Sequence, residues 1–411
     1  MSDASPKVIQ PFPARHLLRN TNFCFFWIGS TISLFGGEFS FVALPWLVLQ
    51  VTGSGVALGT ILMVEAAPRA AFMLIGGAIS DRFSSRRILL LTTIAHMIVV
   101  AWAAELVYFH AVRLWHLYLL AFAFGFADAF ALPARQSLIP LLVSENQLPA
   151  ANSLMSGSAQ ISSIAGPAPA GVVLRLWGIA TAFLIDAGCF FFVILALLRL
   201  KDLPSKHPET HASGMWRSMI EGLSYVAKDP PLRSLMLLSA VLNLGVAGPL
   251  AIGLAFVADK RFSSATAFGT MLSFLAAGAL IGSLLPAFTN NPRRRGLLML
   301  IISGVLGCGM MAVGVLHHLI PIIVILTMLG LGSGLVGVQV QSWVQTRVER
   351  NVLGRVMSVF MFAALSLMPV SYALAGFLAQ INLTILFMSA GSLVLVTTCI
   401  AAINQEVRHI D

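Results

Sequence analysis

Apolar positions dominate this chain in long, unbroken runs, and polar residues gather in short intervals between them. Twelve runs are long enough to matter: about 23–50, 56–79, 88–109, 114–134, 152–174, 179–199, 233–257, 265–288, 296–316, 319–342, 356–379 and 383–403. A helix that crosses a bilayer needs roughly 20 mainly apolar residues, and each run meets that length. The runs are continuous rather than alternating, which disfavours a β-barrel. An all-α membrane protein of twelve transmembrane helices follows. The longest polar interval falls after the sixth run. It divides the chain into a first half (1–200), a linker (201–232) and a second half (233–411). Within the linker, Trp216, Ile220, Leu223 and Val226 recur at helical spacing, as in a helix lying at the inner membrane surface.

Composition agrees. Of 411 residues, 58% are hydrophobic and 10% charged, with a mean hydropathy of +0.90, whereas soluble domains carry about 25% charged residues. The pI near 9.9 raises nucleic acid as a partner, but the distribution of charge argues against it. With the N-terminus inside, 20 of the 25 Lys and Arg residues fall in cytoplasmic segments. That asymmetry orients both termini to the cytoplasm. No cleavable leader is expected, because no short apolar region with a small-residue cleavage site precedes the first run. Cys24, Cys189, Cys308 and Cys399 lie in apolar runs without metal spacing; no metal and no cofactor is expected.

The halves echo each other. Residues 135–154 align with 340–359 at an offset of 205, matching Gln, Ser, Val, Asn, Leu and Ser; "ALGT" (57–60) aligns with "AFGT" (267–270) at 210. Duplicated halves around a central site are a common plan for transporters.

Between the second and third runs lies "GGAISDRFSSRRILL" (76–90). Gly77, Asp81, Arg82, Arg86 and Arg87 combine close packing, a tight turn and an acid beside several arginines, the makings of a cytoplasmic latch between conformations. This motif resembles the loop signature of the major facilitator superfamily, with Ser84 or Ser85 where that family has glycine. The stretches "ALPARQSLIPLLVSENQLPAANSL" (131–154) and "LGRVMS" (353–358) look like the branch that includes macrolide-efflux proteins and enterobactin-type siderophore exporters. The resemblance implies two six-helix halves, alternating access, and helices 1, 4, 7 and 10 around the cavity. It also implies a bacterial inner (plasma) membrane location. "GPAPAG" (166–171) is similar to an exporter motif, and Gly166, Pro167 and Gly171 should kink helix 5.

Charge inside a bilayer costs about 2.5–3.5 kcal/mol per residue on insertion scales and is usually functional. The candidates are Glu38, Glu65, Arg69, Asp128 and Asp186, all in the first half. Glu38 follows two glycines near the middle of helix 1, where a buried carboxyl can take a proton; it and Asp128 are the candidate proton carriers. Asp186 suits a tether between helices, and His96 a structural role. Arg135, seven residues after Asp128, is placed to pair with it. Glu65 and Arg69 share a helical face at the favoured i,i+4 order. Pro68 breaks the backbone beside them, about 13 Å from the outer end. They read as a midplane ion pair or substrate site. Asn243, Gln339 and Gln341 are the polar candidates of the second half, in a cavity otherwise walled by Phe, Met and Trp.

No nucleotide-binding loop or catalytic cluster is present, so neither ATP-driven transport nor an enzyme is expected. The expectation is a monomeric secondary transporter that exports an amphipathic small molecule, drug-like or siderophore, in exchange for protons. The rivals are an importer or facilitator of a nutrient or siderophore, and a non-transporting sensor or assembly factor.

Overall fold

The computed structural model describes residues 17, 19–82, 84–200, 213–288, 295–349 and 352–403; for 73–82, 213–219 and 295 it describes the backbone. Most of the expected linker, the side chains of Trp216, Asp81 and Arg82, and the surroundings of Gly77 therefore lie outside the description. The described residues are almost wholly helical. The first half contains α1 (Thr21–Thr52), α2 (Gly55–Arg82), α3 (Ser85–Tyr108), α4 (Leu114–Leu142), α5 (Leu148–Ala165) and α6 (Pro167–Arg199). Then come α7 (Ser213–Lys228) and α8 (Pro230–Gly248), the latter extended through Leu254–Val257 to Phe262 with π-helical turns at Pro249–Gly253 and Ala258–Phe262. The second half continues with α9 (Ala265–Phe288), α10 (Arg295–Val315), α11 (Leu319–Arg347), α12 (Leu353–Ser366), α13 (Met368–Ile381) and α14 (Leu383–Ile403).

Local chemistry sets the ends. The Asn20 side chain caps α1 by accepting from the Phe23 N–H at 3.2 Å, and donates to the Leu142 carbonyl at 2.7 Å, tying the start of α1 to the end of α4. Gly53, at φ +60, closes α1 in the left-handed conformation that glycine adopts freely.

Eleven helical stretches are long and apolar enough to cross a membrane, against the twelve expected. The difference lies at α5 and α6. Helix α5 is polar along one face, and Pro167 starts a new helix one residue after it ends. Helix α6 then runs 33 residues, with Gly178 at φ 82, ψ 173 inside it. The chain reverses there. Trp27 bonds to Ser158 at 2.9 Å and Glu38 abuts Gly166, so α5 runs parallel to α1. Gly29 abuts Ala196 and Ser40 bonds to Asp186, so the later part of α6 runs antiparallel to α1.

The cores show how the halves meet. One large apolar cluster draws on both halves, with Leu44, Leu58, Phe256, Phe268 and Ala375 among its members. It lies toward the end that holds the 53–54 and 263–264 turns. At the opposite end two clusters stay separate. One contains Phe23, Leu138 and Leu197, all from the first half. The other contains Leu232, Trp343 and Val356, all from the second. The halves are thus joined at one end and parted at the other.

Glycine makes the join possible. A Cβ at Gly376 would overlap the Gly55 carbonyl, and one at Gly59 would strike the Tyr372 carbonyl, so α2 and α13 touch backbone to backbone. Gln380 Oε1 accepts from the Gly55 N–H at 2.6 Å in the same seam. On the other side, Gly269 of α9 meets the Pro167 carbonyl, and Gly171 of α6 meets the Ala265 carbonyl. Ser273 accepts from the Ala168 N–H at 3.0 Å, satisfying a donor freed by the break at Pro167.

Helix α8 is distorted for a visible reason. Its Gly248 N–H would ordinarily bond to the Leu244 carbonyl. Instead the Ser371 hydroxyl accepts from Gly248 N–H at 2.7 Å and donates to Leu244 at 2.6 Å. A side chain inserted into the ladder opens the helix, and the π-helical turn follows directly. Helix α7 belongs with the second half: Glu221 pairs with Arg355 at 2.6 Å and Val226 is fully buried, while Ile220 and Leu223 stay exposed. Asp229 caps α8 and holds Arg347 in a two-bond fork, at 2.9 and 3.2 Å.

Two outcomes test this packing. Gly376→Val should hold α2 away from α13, and spin labels at His110 and His317 should report a longer separation than in the parent protein. Ser371→Ala should strand two polar groups and lower stability by about 1–3 kcal/mol, measurable as a lower melting temperature in detergent.

Candidate functional site

Between the parted halves lies a cavity of about 1290 Å³, lined by α1–α6 and α8–α13. Its wall is mostly apolar, with Phe41, Phe124, Phe190, Phe360, Met310 and Met361 contributing, and no Trp among the described lining residues. The carboxylates, guanidinia and imidazole of the described lining all come from the first half: Glu38, Glu65, Arg69, His96, Asp128, Arg135 and Asp186. The second half supplies neutral polar groups, including Asn243, Ser333, Gln341 and Tyr372.

Four of the charged or ionisable groups form one network. Arg69 Nη2 donates to Glu65 Oε1 at 2.7 Å, one turn back on α2, and lies 3.2 Å from Asp128 Oδ2 on α4. Asp128 Oδ1 in turn faces His96 Nε2 of α3 at 3.6 Å. One guanidinium therefore serves two carboxylates, and the imidazole closes the chain. His96 is buried and stacks on Phe190, with centroids 5.3 Å apart and planes at 6°. Tyr372, from the second half, is within electrostatic reach of Glu65 and Arg69.

The backbone is shaped for this network. Pro68 cannot donate to the carbonyl four residues back, which loosens α2 next to Arg69. Gly125 lies three residues before Asp128, on the same face of α4. A Cβ there would overlap the Glu65 carbonyl, so only glycine lets α4 come close enough for Asp128 to reach Arg69. Nothing in an isolated reading of α4 signals this. The G-x-x-D spacing is its only trace.

The two remaining acids stand apart from that cluster. Glu38 lines the cavity and makes no hydrogen bond or ion pair among the described residues. Gly166, at the break between α5 and α6, leaves room for its side chain: a Cβ there would sit 2.5 Å from Glu38 Cβ. Asp186 is 1% exposed and accepts a short hydrogen bond from the Ser40 hydroxyl, linking α6 to α1. Gly36 sits beside it and lets the two helices approach; α1 stays unbroken through Gly36 and Gly37.

Several expectations are placed differently. Gln341 lines the cavity, but Gln339 is 4% exposed and does not. Residues two apart on a helix point about 200° apart, so only one of the pair can face inward. Asn243 lines the cavity and donates to the Ser239 carbonyl at 3.0 Å. Asp128 turns to Arg69 and His96 rather than to Arg135. In the loop motif, Arg86 donates to the Leu197 and Leu198 carbonyls at 2.9 and 3.2 Å, at the C-terminal end of α6, while Arg87 is exposed. Gly166, Pro167 and Gly171 stand at the break and the seam with α9. No cluster able to hold a metal occurs among the described residues.

The chain is 27% identical over 386 residues to the multidrug efflux pump Tap of Mycolicibacterium fortuitum, covering 92% of this chain and 94% of Tap. It is 25% identical over 339 residues to the staphyloferrin A transporter of Staphylococcus aureus, covering 82% and 84%. Its fold matches a crystal structure of the nucleoside transporter NupG with a TM-score of 0.73 at 12% identity, over 92% of this chain and 98% of that one. The family profile described as transmembrane secretion effector matches residues 14–411. The chain belongs to that family, and is therefore a multi-pass transporter of the major facilitator superfamily rather than an enzyme.

Proposed function

We propose that this protein crosses the membrane twelve times and exports an amphipathic small molecule in exchange for protons, by alternating access. Counting the chain reversal at Gly178 as a turn between the fifth and sixth crossings supports the number. The positive-inside distribution supports a cytoplasmic position for the parted end of the halves and for both termini. This conformation then faces inward.

The observation that carries the reading is Glu38: a carboxyl in a largely apolar cavity, without a protein partner among the described residues. In the inward-facing state Glu38 gives its proton to the cytoplasm and its carboxylate faces the cation or donor group of the cargo. The halves then rock about the glycine seams. From outside, a proton returns to Glu38 and the cargo leaves. Asp128 is the second carrier. A proton on Asp128 releases Arg69 to Glu65 alone, so the network changes partners without leaving a bare guanidinium. Asp81, Arg82 and Arg86 act as the latch at the cytoplasmic end, where Arg86 already grips the end of α6. Drug-like compounds and siderophores are both within the cargo class, as the named relatives suggest. Export is preferred over import on the kinship with an efflux pump.

Two experiments address this. In inverted vesicles with an acid interior, wild type should accumulate a lipophilic cationic dye, and Glu38→Gln should lose the gradient-driven part by about tenfold. Gradient-independent accumulation in wild type, or an unaffected Glu38→Gln, would reject the coupling; accumulation only in right-side-out vesicles would favour import. Arg69→Gln should lower stability by about 2 kcal/mol, less than for a fully buried pair because the side chains are 32% and 34% exposed. Adding Asp128→Asn should restore part of that loss in thermal melts, since one of the two stranded carboxylates is gone.

A further inference from the structure

Arg135 has no role in the proton exchange just described, yet its side chain lines the same cavity. It lies seven residues beyond Asp128 on α4, two turns along the same face. Its Nε is buried without a hydrogen-bond partner, and no carboxylate among the described residues lies within 4.0 Å of the guanidinium. The acid on its own helix, Asp128, is committed to Arg69 at 3.2 Å and faces His96 at 3.6 Å. On α3, the Thr93 hydroxyl is engaged by the Leu89 carbonyl at 2.6 Å.

A guanidinium keeps its charge under all ordinary conditions, and a buried N–H left without an acceptor, as at Arg135 Nε, is costly. Its planar fork of N–H donors matches a carboxylate in two-bond geometry. Among the described residues of the lining, Glu38 is the acid with no hydrogen bond or ion pair and Arg135 the base with none, while Asp186 holds only the Ser40 hydroxyl, on one of its two oxygens.

We infer that Arg135 is an anion subsite, and that the cargo is an amphipathic molecule carrying a carboxylate as well as the group that meets Glu38. The inference rests on the transport reading above and narrows its substrate class. The carboxylate docks on the Arg135 fork, and the apolar body lies against the Phe and Met side chains.

A matched pair of rhodamines tests it: one with a free carboxylate, the other its ethyl ester, otherwise alike. With the full chain in lipid nanodiscs, fluorescence polarisation should show the acid bound about tenfold more tightly than the ester. Arg135→Gln should bring the ratio of the two affinities close to one, and Arg135→Lys should restore part of it. Because the readout is a ratio, a variant that binds both dyes weakly still reports it. A wild-type ratio near one, or an undiminished ratio in Arg135→Gln, overturns the inference. If vesicles export the ester with no preference for the acid, the anion subsite is rejected and the transport reading stands. If neither dye binds or moves, both fail.

Discussion

Inside hydrocarbon, a polar group has only the rest of the chain to satisfy it. That constraint governs the structure. Arg69 is held by two carboxylates from two helices. Asp186 takes the Ser40 hydroxyl. The N–H groups of Ala168 and Gly248 find serine oxygens on neighbouring helices. Apart from the Glu65–Arg69 contact within α2, each is also a geometric instruction, because the partner lies on another helix and must be brought close. The polar groups thus fix which helices are neighbours, while the apolar surface that surrounds them is indifferent to the choice.

Close approach depends on glycine. Gly125 brings α4 to α2, Gly36 brings α6 to α1, and Gly55, Gly59 and Gly376 join the halves along one seam. At the seam glycines the contact is backbone to backbone, with side-chain hydrogen bonds at Gln380 and Ser273 across the two seams. The shared apolar cluster lies at the seam end and the two separate clusters at the far end. At that far end each half keeps its own core, and the cavity lies between the two.

What could be read from the sequence follows the range of the interaction. The helices, the interval between the runs ending at 174 and starting at 179, and the Glu65–Arg69 pair are local: they depend on run length and on i,i+4 spacing. The partner of Arg69 across the bundle is not local. Asp128 reads as a candidate for Arg135 on the same helix, because a single helix shows no other base. Only the packing of α4 on α2 reveals that Arg69 takes it. His96 looks structural alone and becomes the end of a network in context. Gln339 and Gln341 look equivalent as a pair of amides, although the helical period separates them. Ser371 carries no signal at all, being one hydroxyl in an apolar run, yet it opens α8.

The charge asymmetry of the cavity has an evolutionary consequence. Every formal charge described on its wall rides on the first half, and the second half presents shape, dispersion and a few neutral dipoles. Substitutions in α8–α13 can therefore recontour the chamber without touching the ion pairs that hold the first half together. Inheritance can explore new cargoes through one repeat while the other stays under constraint. The two halves are free to drift at different speeds.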